Sequence, residues 1–226
     1  MSGRRTRTVL ALGLLTAFDV VLVGARMHHS GRFTFWYLLW NLFLAWIPFV
    51  LALALYDASR RRRQPALLAV LAAGWLLFFP NAPYILTDVI HLAPEQGVPL
   101  WFDALTITSA ALTGLLLGFV SLGLVQEVVR RAAGAVWAWI LAGGVLVIAS
   151  VGIYLGRFLR LNSWDVVTRP HELVYLARIR LADPLGNPKL ILVVGLMSAF
   201  LAVAYAVFSA LWDTGESRVP EQRTPR

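Results

Sequence analysis

Acidic and imidazole side chains suited to proton transfer follow the third apolar stretch of the chain. Asp88 and His91 are three positions apart, and Asp103 begins the next apolar stretch. Positioned carboxylates and imidazoles act as general acids and bases, so these three are the predicted catalytic residues. They are also oxygen and nitrogen ligands that suit zinc or manganese, with Asp165 or His171 available to complete a set. The Asp-x-x-His spacing is common, so a divalent metal is an open alternative.

Two arginines follow the fifth apolar stretch, in the segment Gly156-Arg-Phe-Leu-Arg-Leu-Asn-Ser-Trp-Asp165. Guanidinium groups match the geometry of phosphate and carboxylate. We therefore predict an anion site where this stretch ends. The predicted substrate-binding residues are Asn81, Tyr84, Tyr154, Arg157, Arg160, Asn162 and Asp165.

Composition indicates the elements that must position these residues. Of 226 residues, 59% are hydrophobic and 14% are charged, and the mean hydropathy is +0.71. A soluble domain carries about 25% charged residues, so the chain is predicted to be an all-α, polytopic membrane bundle. The absence of cysteine excludes disulfides and thiolate chemistry. The net charge of +8 comes from arginines beside apolar stretches, which is typical of membrane proteins, and we predict no nucleic-acid partner.

Six stretches are long enough to cross a bilayer, which takes about 20 apolar residues. They are residues 8–25, 34–56, 66–86, 102–126, 135–156 and 190–212. The first contains Asp19 and lacks a convincing cleavage site, so we interpret it as a retained helix and not a signal peptide. One transmembrane domain over 1–212 is expected, with a disordered tail over 213–226.

The third stretch is interrupted by Pro80 and Pro83, with Asn81 between them. Proline removes a backbone donor, and carbonyl groups freed at membrane depth must face protein or water. A proline-broken third helix that faces a polar pocket is therefore predicted.

The short arginine-rich loops predict the orientation. Arginines precede the first helix and follow the second and fourth, so both termini are expected in the cytoplasm. Residues 26–33, 87–101 and 157–189 then face outward, together with all four histidines. The segment 157–189 is expected to contain a short interfacial helix, although 177–181 also fits a strand.

In this orientation, costly polar residues gather at the outer ends of the helices. An outward-facing site on helices 3, 4 and 5 is predicted, while the inner half carries few polar side chains. Simpler roles stay open: Asp19 paired with an outer arginine such as Arg157, Asn41 as an interhelical hydrogen-bond donor, and Asp88 and Asp103 as caps or surface charges.

The pairs Gly114/Gly118 and Gly152/Gly156 predict close helix packing.

Several segments carry a resemblance to a known family. They are Asn41-Leu-Phe-Leu-Ala-Trp-Ile-Pro48, Phe79-Pro-Asn-Ala-Pro-Tyr-Ile-Leu-Thr-Asp88, Trp101-Phe-Asp103, Thr113-Gly114 and the segment from Gly156 to Asp165. Through them the chain resembles the bacterial integral membrane proteins of the domain of unknown function 1361. The resemblance implies a multi-pass protein of the bacterial cytoplasmic (inner) membrane, and it brings no known activity.

Three functions are compatible with this pattern. The first is a membrane-embedded enzyme acting on an anionic lipid head group or lipid-linked substrate. The second is a transporter of a small anion or lipid, which a discontinuous third helix would suit. The third is a non-catalytic component of an envelope complex, with an outer basic segment that docks a partner. The oligomeric state is left open.

Overall fold

A computed structural model of the chain describes residues 3–61, 63–94, 97–161, 163, 165–171, 175, 178 and 186–214. Within these residues the regular structure is helical and includes no β-strand. Six spans are long and apolar enough to cross a membrane. The prediction of an all-α, six-span membrane protein is therefore confirmed.

The helices extend beyond the predicted apolar stretches at nearly every end. They are α1 (Gly3–Ser30), α2 (Trp36–Arg60), α3 (Pro65–Phe78), α4 (Asn81–Tyr84), a 3-10 helix (Ile85–His91), α5 (Leu100–Ala133), α6 (Ala135–Leu159), α7 (Asp165–Thr168) and α8 (Pro188–Thr214). The third span consists of α3, α4 and the 3-10 helix. Most of the predicted interfacial helix, and residues 215–226 of the predicted tail, lie outside the described residues.

Helix α5 is the most enclosed span, because α1, α2, α6 and the third span all pack against it. Helix α8 packs mainly along α6. One part of the core joins Leu42 and Phe49 of α2 to Leu117 of α5, and a second joins Trp75 of the third span to Leu146 of α6.

The bundle has two polar ends. We call the end where α1 begins the terminal end, and the opposite end, where α1 ends and α2 begins, the distal end. At the terminal end Arg5 binds Asp57 at 2.8 Å, and Arg131 binds Glu127 at 2.7 Å and the Tyr56 hydroxyl at 2.9 Å. The distal end is the one that the arginine pattern predicts to face outward.

The terminal half also contains polar pairs that sequence inspection missed. Tyr205 donates to Gln126 at 2.6 Å, and Trp75 donates to Ser121 at 3.3 Å. The expectation that few polar side chains lie in this half was therefore too simple. The two pairs join neighbouring spans, which is a common role for polar side chains inside membrane bundles.

The third span is broken between α3 and α4, as the two prolines predict. The break preserves the helical direction, since Phe79 (φ −54°, ψ −40°) and Pro80 (φ −58°, ψ −25°) keep right-handed helical angles. The Ala82 N–H donates to the Phe79 carbonyl at 3.1 Å, which leaves the Phe78 carbonyl without its helical donor. The Asn81 side-chain amide donates to that carbonyl at 2.9 Å. The freed carbonyl therefore faces protein and accepts its hydrogen bond from a side chain of the same span.

Glycines of the two neighbouring spans hold the broken segment. A Cβ atom added at Gly114 of α5 would lie 2.6 Å from the Ala82 carbonyl oxygen, and one added at Gly152 of α6 would lie 2.9 Å from the Pro80 ring. Gly118 and Gly156 face Ala82 and Tyr84 in the same way, at 3.2 Å each. The predicted close packing is confirmed, and the element that approaches is the third span.

Candidate functional site

A buried ion pair joins the third span to α6 at the distal end. Asp88, in the 3-10 helix, is 1% exposed. One of its carboxylate oxygens accepts from Nη2 of Arg157, and the other accepts from the Asn41 amide of α2 at 2.9 Å. The prediction that Asn41 makes an interhelical hydrogen bond is therefore confirmed.

The remaining faces of the Arg157 guanidinium are also held. Its Nε donates to the Thr87 hydroxyl at 2.9 Å, and its Cζ lies 4.5 Å from the centre of the Tyr84 ring. Nη1 lies 3.1 Å from Nε2 of His91, whose side chain is exposed. A guanidinium only donates, so the ring nitrogen is the acceptor if this contact is a hydrogen bond. Arg157 is thus fixed on three sides and meets an exposed ring on the fourth.

A second buried ion pair lies at the same end and was not predicted. Arg26 of α1 binds Asp103 of α5 with two bonds, from Nε to Oδ1 at 2.9 Å and from Nη2 to Oδ2 at 3.1 Å. The arginine side chain is 1% exposed and the aspartate 3%. Arg26 also donates to the Thr34 hydroxyl and lies 3.9 Å from the centre of the Phe35 ring. Arg26 thus lies within α1, which continues to Ser30, and not in the outward-facing connection predicted for residues 26–33.

Tyr37, at the beginning of α2, lies between the two ion pairs. Its ring meets the His91 ring edge-on at 5.4 Å and the Phe35 ring at 5.9 Å. The hydroxyl is within electrostatic range of Asp88, Arg157, Arg26 and Asp103. It is buried and has no hydrogen-bond partner among the described residues. No sequence signal distinguished this tyrosine, apart from its position at the outer end of an apolar stretch.

Asp88 and Asp103 are both fully engaged in buried ion pairs. Both oxygens of each carboxylate accept from side chains of other elements, and both residues are buried. Among the predicted catalytic residues, His91 is the one that is exposed. In the described part of the chain, no three His, Asp or Glu side chains are arranged to hold a metal ion. Asp88, His91 and Asp103 therefore do not assemble into the metal-binding set that the sequence allowed.

The predicted substrate-binding residues have varied environments. Tyr84 lies against Arg157, whereas Asn81 is occupied by the Phe78 carbonyl and by the Ser163 hydroxyl, each at 2.9 Å. Tyr154 is buried and packs on Phe158 with ring centres 5.1 Å apart.

The three remaining predicted residues lie where α6 ends and beyond it. Arg160 is exposed, and its positive φ of 56° ends α6. Asp165 is buried, begins α7 and accepts from the Thr168 hydroxyl at 3.3 Å. Asn162 lies outside the described residues. His171, the alternative metal ligand, is exposed.

Asp19 does not pair with Arg157, which was one of the roles left open for it. The Asp19 carboxylate is fully buried between α1 and α5, where the Ser109 hydroxyl donates to it. Arg157 has Asp88 as its partner.

The polar cluster therefore differs from the single pocket that was predicted on the third, fourth and fifth spans, which are α3 to the 3-10 helix, α5 and α6. Asn81, Asp103 and Arg157 have three different sets of partners. Helices α1 and α2 contribute Arg26, Tyr37 and Asn41, so five spans and not three build the distal end. We call Tyr37, Asn41, Asp88, His91 and Arg157, together with Arg26 and Asp103, the distal cluster.

Comparisons with known proteins bear on the same part of the chain. Neither the curated proteins nor the solved structures contain a match. A family model described as "Protein of unknown function (DUF1361)" matches residues 40–204, which include Asp88, His91, Asp103 and Arg157. The match covers most of the chain from α2 into α8, and it leaves out α1 with Arg26. This integral membrane protein thus belongs to the DUF1361 family.

Proposed function

We propose that the distal cluster binds the anionic head group of a lipid or a lipid-linked molecule, at the outer face of the bacterial cytoplasmic membrane. Arg157 is the residue that holds the anion. His91 lies at the mouth of the site, and any acid–base chemistry on the bound head group falls to its imidazole.

The arrangement of Arg157 is the observation that carries this proposal. Asp88 binds one edge of the guanidinium, Thr87 binds Nε, and the Tyr84 ring covers one face. A guanidinium held in this way loses little conformational freedom when it binds an anion. Nη1, in contrast, lies 3.1 Å from Nε2 of His91, which is an exposed residue. An anionic oxygen is a stronger acceptor for a guanidinium than an uncharged ring nitrogen, so a head group can replace His91 at that position.

Aromatic residues indicate the depth of the site. Trp36 is the first residue of α2 and is 55% exposed. Trp101 lies in the first turn of α5 and is 67% exposed. Tryptophan is enriched at the level of the lipid head groups. The distal cluster therefore lies beside the part of a lipid that carries charge.

An Arg157→Lys variant tests the proposal. Lysine keeps the positive charge beside Asp88 but lacks the second and third donor nitrogens. We expect the Kd for phosphatidylglycerol in nanodiscs to rise about tenfold, which corresponds to about 1.4 kcal/mol. Nanodiscs of an uncharged glycolipid without phosphate provide the background, and binding is measured by native mass spectrometry.

Arg131→Lys is the matched control, because Arg131 is also an arginine paired with a carboxylate but lies at the terminal end. It should bind phosphatidylglycerol as the unchanged protein does. If a folded Arg157→Lys protein retained the original affinity for phosphatidylglycerol, the distal cluster would not be an anion site.

A further inference from the structure

Among the described residues, the Tyr37 hydroxyl is the polar group of the distal cluster that is left unsatisfied. It is buried, and none of these residues accepts a hydrogen bond from it or donates one to it. Buried polar groups in native proteins are nearly always paired with protein, water or a ligand. The unsatisfied hydroxyl therefore indicates a partner that is not among the described residues, such as a bound ligand.

The surrounding groups narrow the chemistry of that partner. The carboxylates within electrostatic range of the Tyr37 hydroxyl are those of Asp88 and Asp103. Each of them already accepts hydrogen bonds from two donor nitrogens. The other charged neighbours, Arg26 and Arg157, are donors and cannot accept a bond from a phenol. A partner that supplies an additional acceptor atom could accept a hydrogen bond from the Tyr37 hydroxyl.

Tyr37 and Arg157 approach the same residue from different helices. Tyr37 contacts the His91 ring edge-on at 5.4 Å, and Arg157 lies 3.1 Å from Nε2 of the same ring. A group that replaces the His91 ring would therefore lie beside the Tyr37 ring of α2 and the Arg157 guanidinium of α6. A phosphate has several acceptor oxygens that point in different directions, so it can accept from both.

We propose that the ligand of the distal cluster carries a phosphate and that the Tyr37 hydroxyl donates to one of its oxygens while Arg157 holds another. This inference rests on the proposed function and specifies its ligand as a phosphate-bearing head group. It also adds a binding residue on α2.

A Tyr37→Phe variant separates this role from a structural one, because it removes a single oxygen atom. Since that oxygen has no partner among the described residues, the folded protein should be as stable as the original or more stable. The Kd for phosphatidylglycerol in nanodiscs should rise about tenfold. Tyr56→Phe is the control: its hydroxyl binds Arg131 at 2.9 Å at the terminal end, so it should lose stability and retain the affinity.

The outcome for Arg157→Lys, measured in parallel, distinguishes two failures. If Arg157→Lys weakens binding and Tyr37→Phe does not, the role of Tyr37 is wrong and the head-group site survives. If neither variant weakens binding, the proposed function itself is wrong. A tyrosine that binds only water also predicts unchanged affinity in Tyr37→Phe, so this result overturns the inference as well.

Inorganic phosphate tests the ligand class. Added to nanodiscs that contain phosphatidylglycerol, it should compete for the distal cluster in the unchanged protein and compete less in Tyr37→Phe. A lack of competition at saturating phosphate would overturn the assignment of a phosphate.

Discussion

The two buried ion pairs of the distal end have a shared design at the level of residues. In each, an aspartate that is nearly inaccessible to water binds an arginine from another span. A neutral side chain adds one hydrogen bond to each pair: Thr34 accepts from Arg26, and Asn41 donates to Asp88. Removing charges from water is expensive, and the pair compensates for that cost only while both partners are present. Each pair is therefore most sensitive to the loss of one partner.

Substitution of Arg26 by leucine should destabilise the protein by about 3–5 kcal/mol, because Asp103 would keep a buried charge without a partner. Adding Asp103→Leu should restore most of this loss, since two apolar side chains of similar size replace the pair. The free energy of unfolding, measured by denaturant titration in detergent micelles, tests both expectations.

Arg60→Leu is the control for the loss of an arginine charge, since Arg60 is exposed in the last turn of α2. It should change the stability by about 0.5 kcal/mol or less. A single Arg26→Leu variant as stable as this control would show that the Arg26–Asp103 pair contributes nothing to the fold.

At the level of elements, the third span depends on its neighbours. Its prolines weaken the helical hydrogen bonds near Pro80, and the 3-10 helix that follows carries Asp88 and His91. Gly114 and Gly152 allow α5 and α6 to approach this segment closely. The positions of Asp88 and His91 therefore depend on two glycines that contact the preceding part of the same span, at Ala82 and Pro80.

Alanine at Gly114 or Gly152 should destabilise the protein by about 1–3 kcal/mol, because the added methyl group has no space beside Ala82 or Pro80. Gly143→Ala on α6 is the matched control, since a Cβ atom there meets nothing within 4 Å. Its effect should be neutral or stabilising, because alanine favours a helix more than glycine.

Thermal unfolding in micelles compares the three glycine variants directly. If Gly114→Ala and Gly143→Ala unfold at the same temperature, the third span can move away from α5 without cost, and the packing at Ala82 is loose.

At the level of the whole molecule, the sequence predicted what depends on local composition. Length and hydropathy within one segment identify a span, so all six were found, and Pro80 and Pro83 marked the break in the third. Asp88, Asp103 and Arg157 were correctly singled out as unusual because charge is rare in such segments. Their partners were not found, because a pair such as Arg26 and Asp103 depends on which spans are neighbours. Hydropathy carries no information on that order.

The orientation of the bundle can be tested with single cysteines, because the chain has none of its own. His28, near the distal end of α1, and Gln64, in the loop at the terminal end, are both exposed. The arginine pattern predicts that the distal end faces outward. A membrane-impermeant maleimide should label His28→Cys in intact cells and Gln64→Cys only after permeabilisation.

The reverse labelling pattern would place both termini outside. It would also turn the distal cluster toward the cytoplasm, where a different pool of head groups is available.

The pairing of Arg26 with Asp103 has a consequence for biogenesis. The two residues are 77 positions apart in sequence, so α1 leaves the ribosome long before its partner in α5 exists. During that interval the Arg26 guanidinium must stay with water or lipid phosphates at the bilayer surface, since burying it alone is costly. Helix α1 thus reaches its final depth only after the fourth span has entered the membrane.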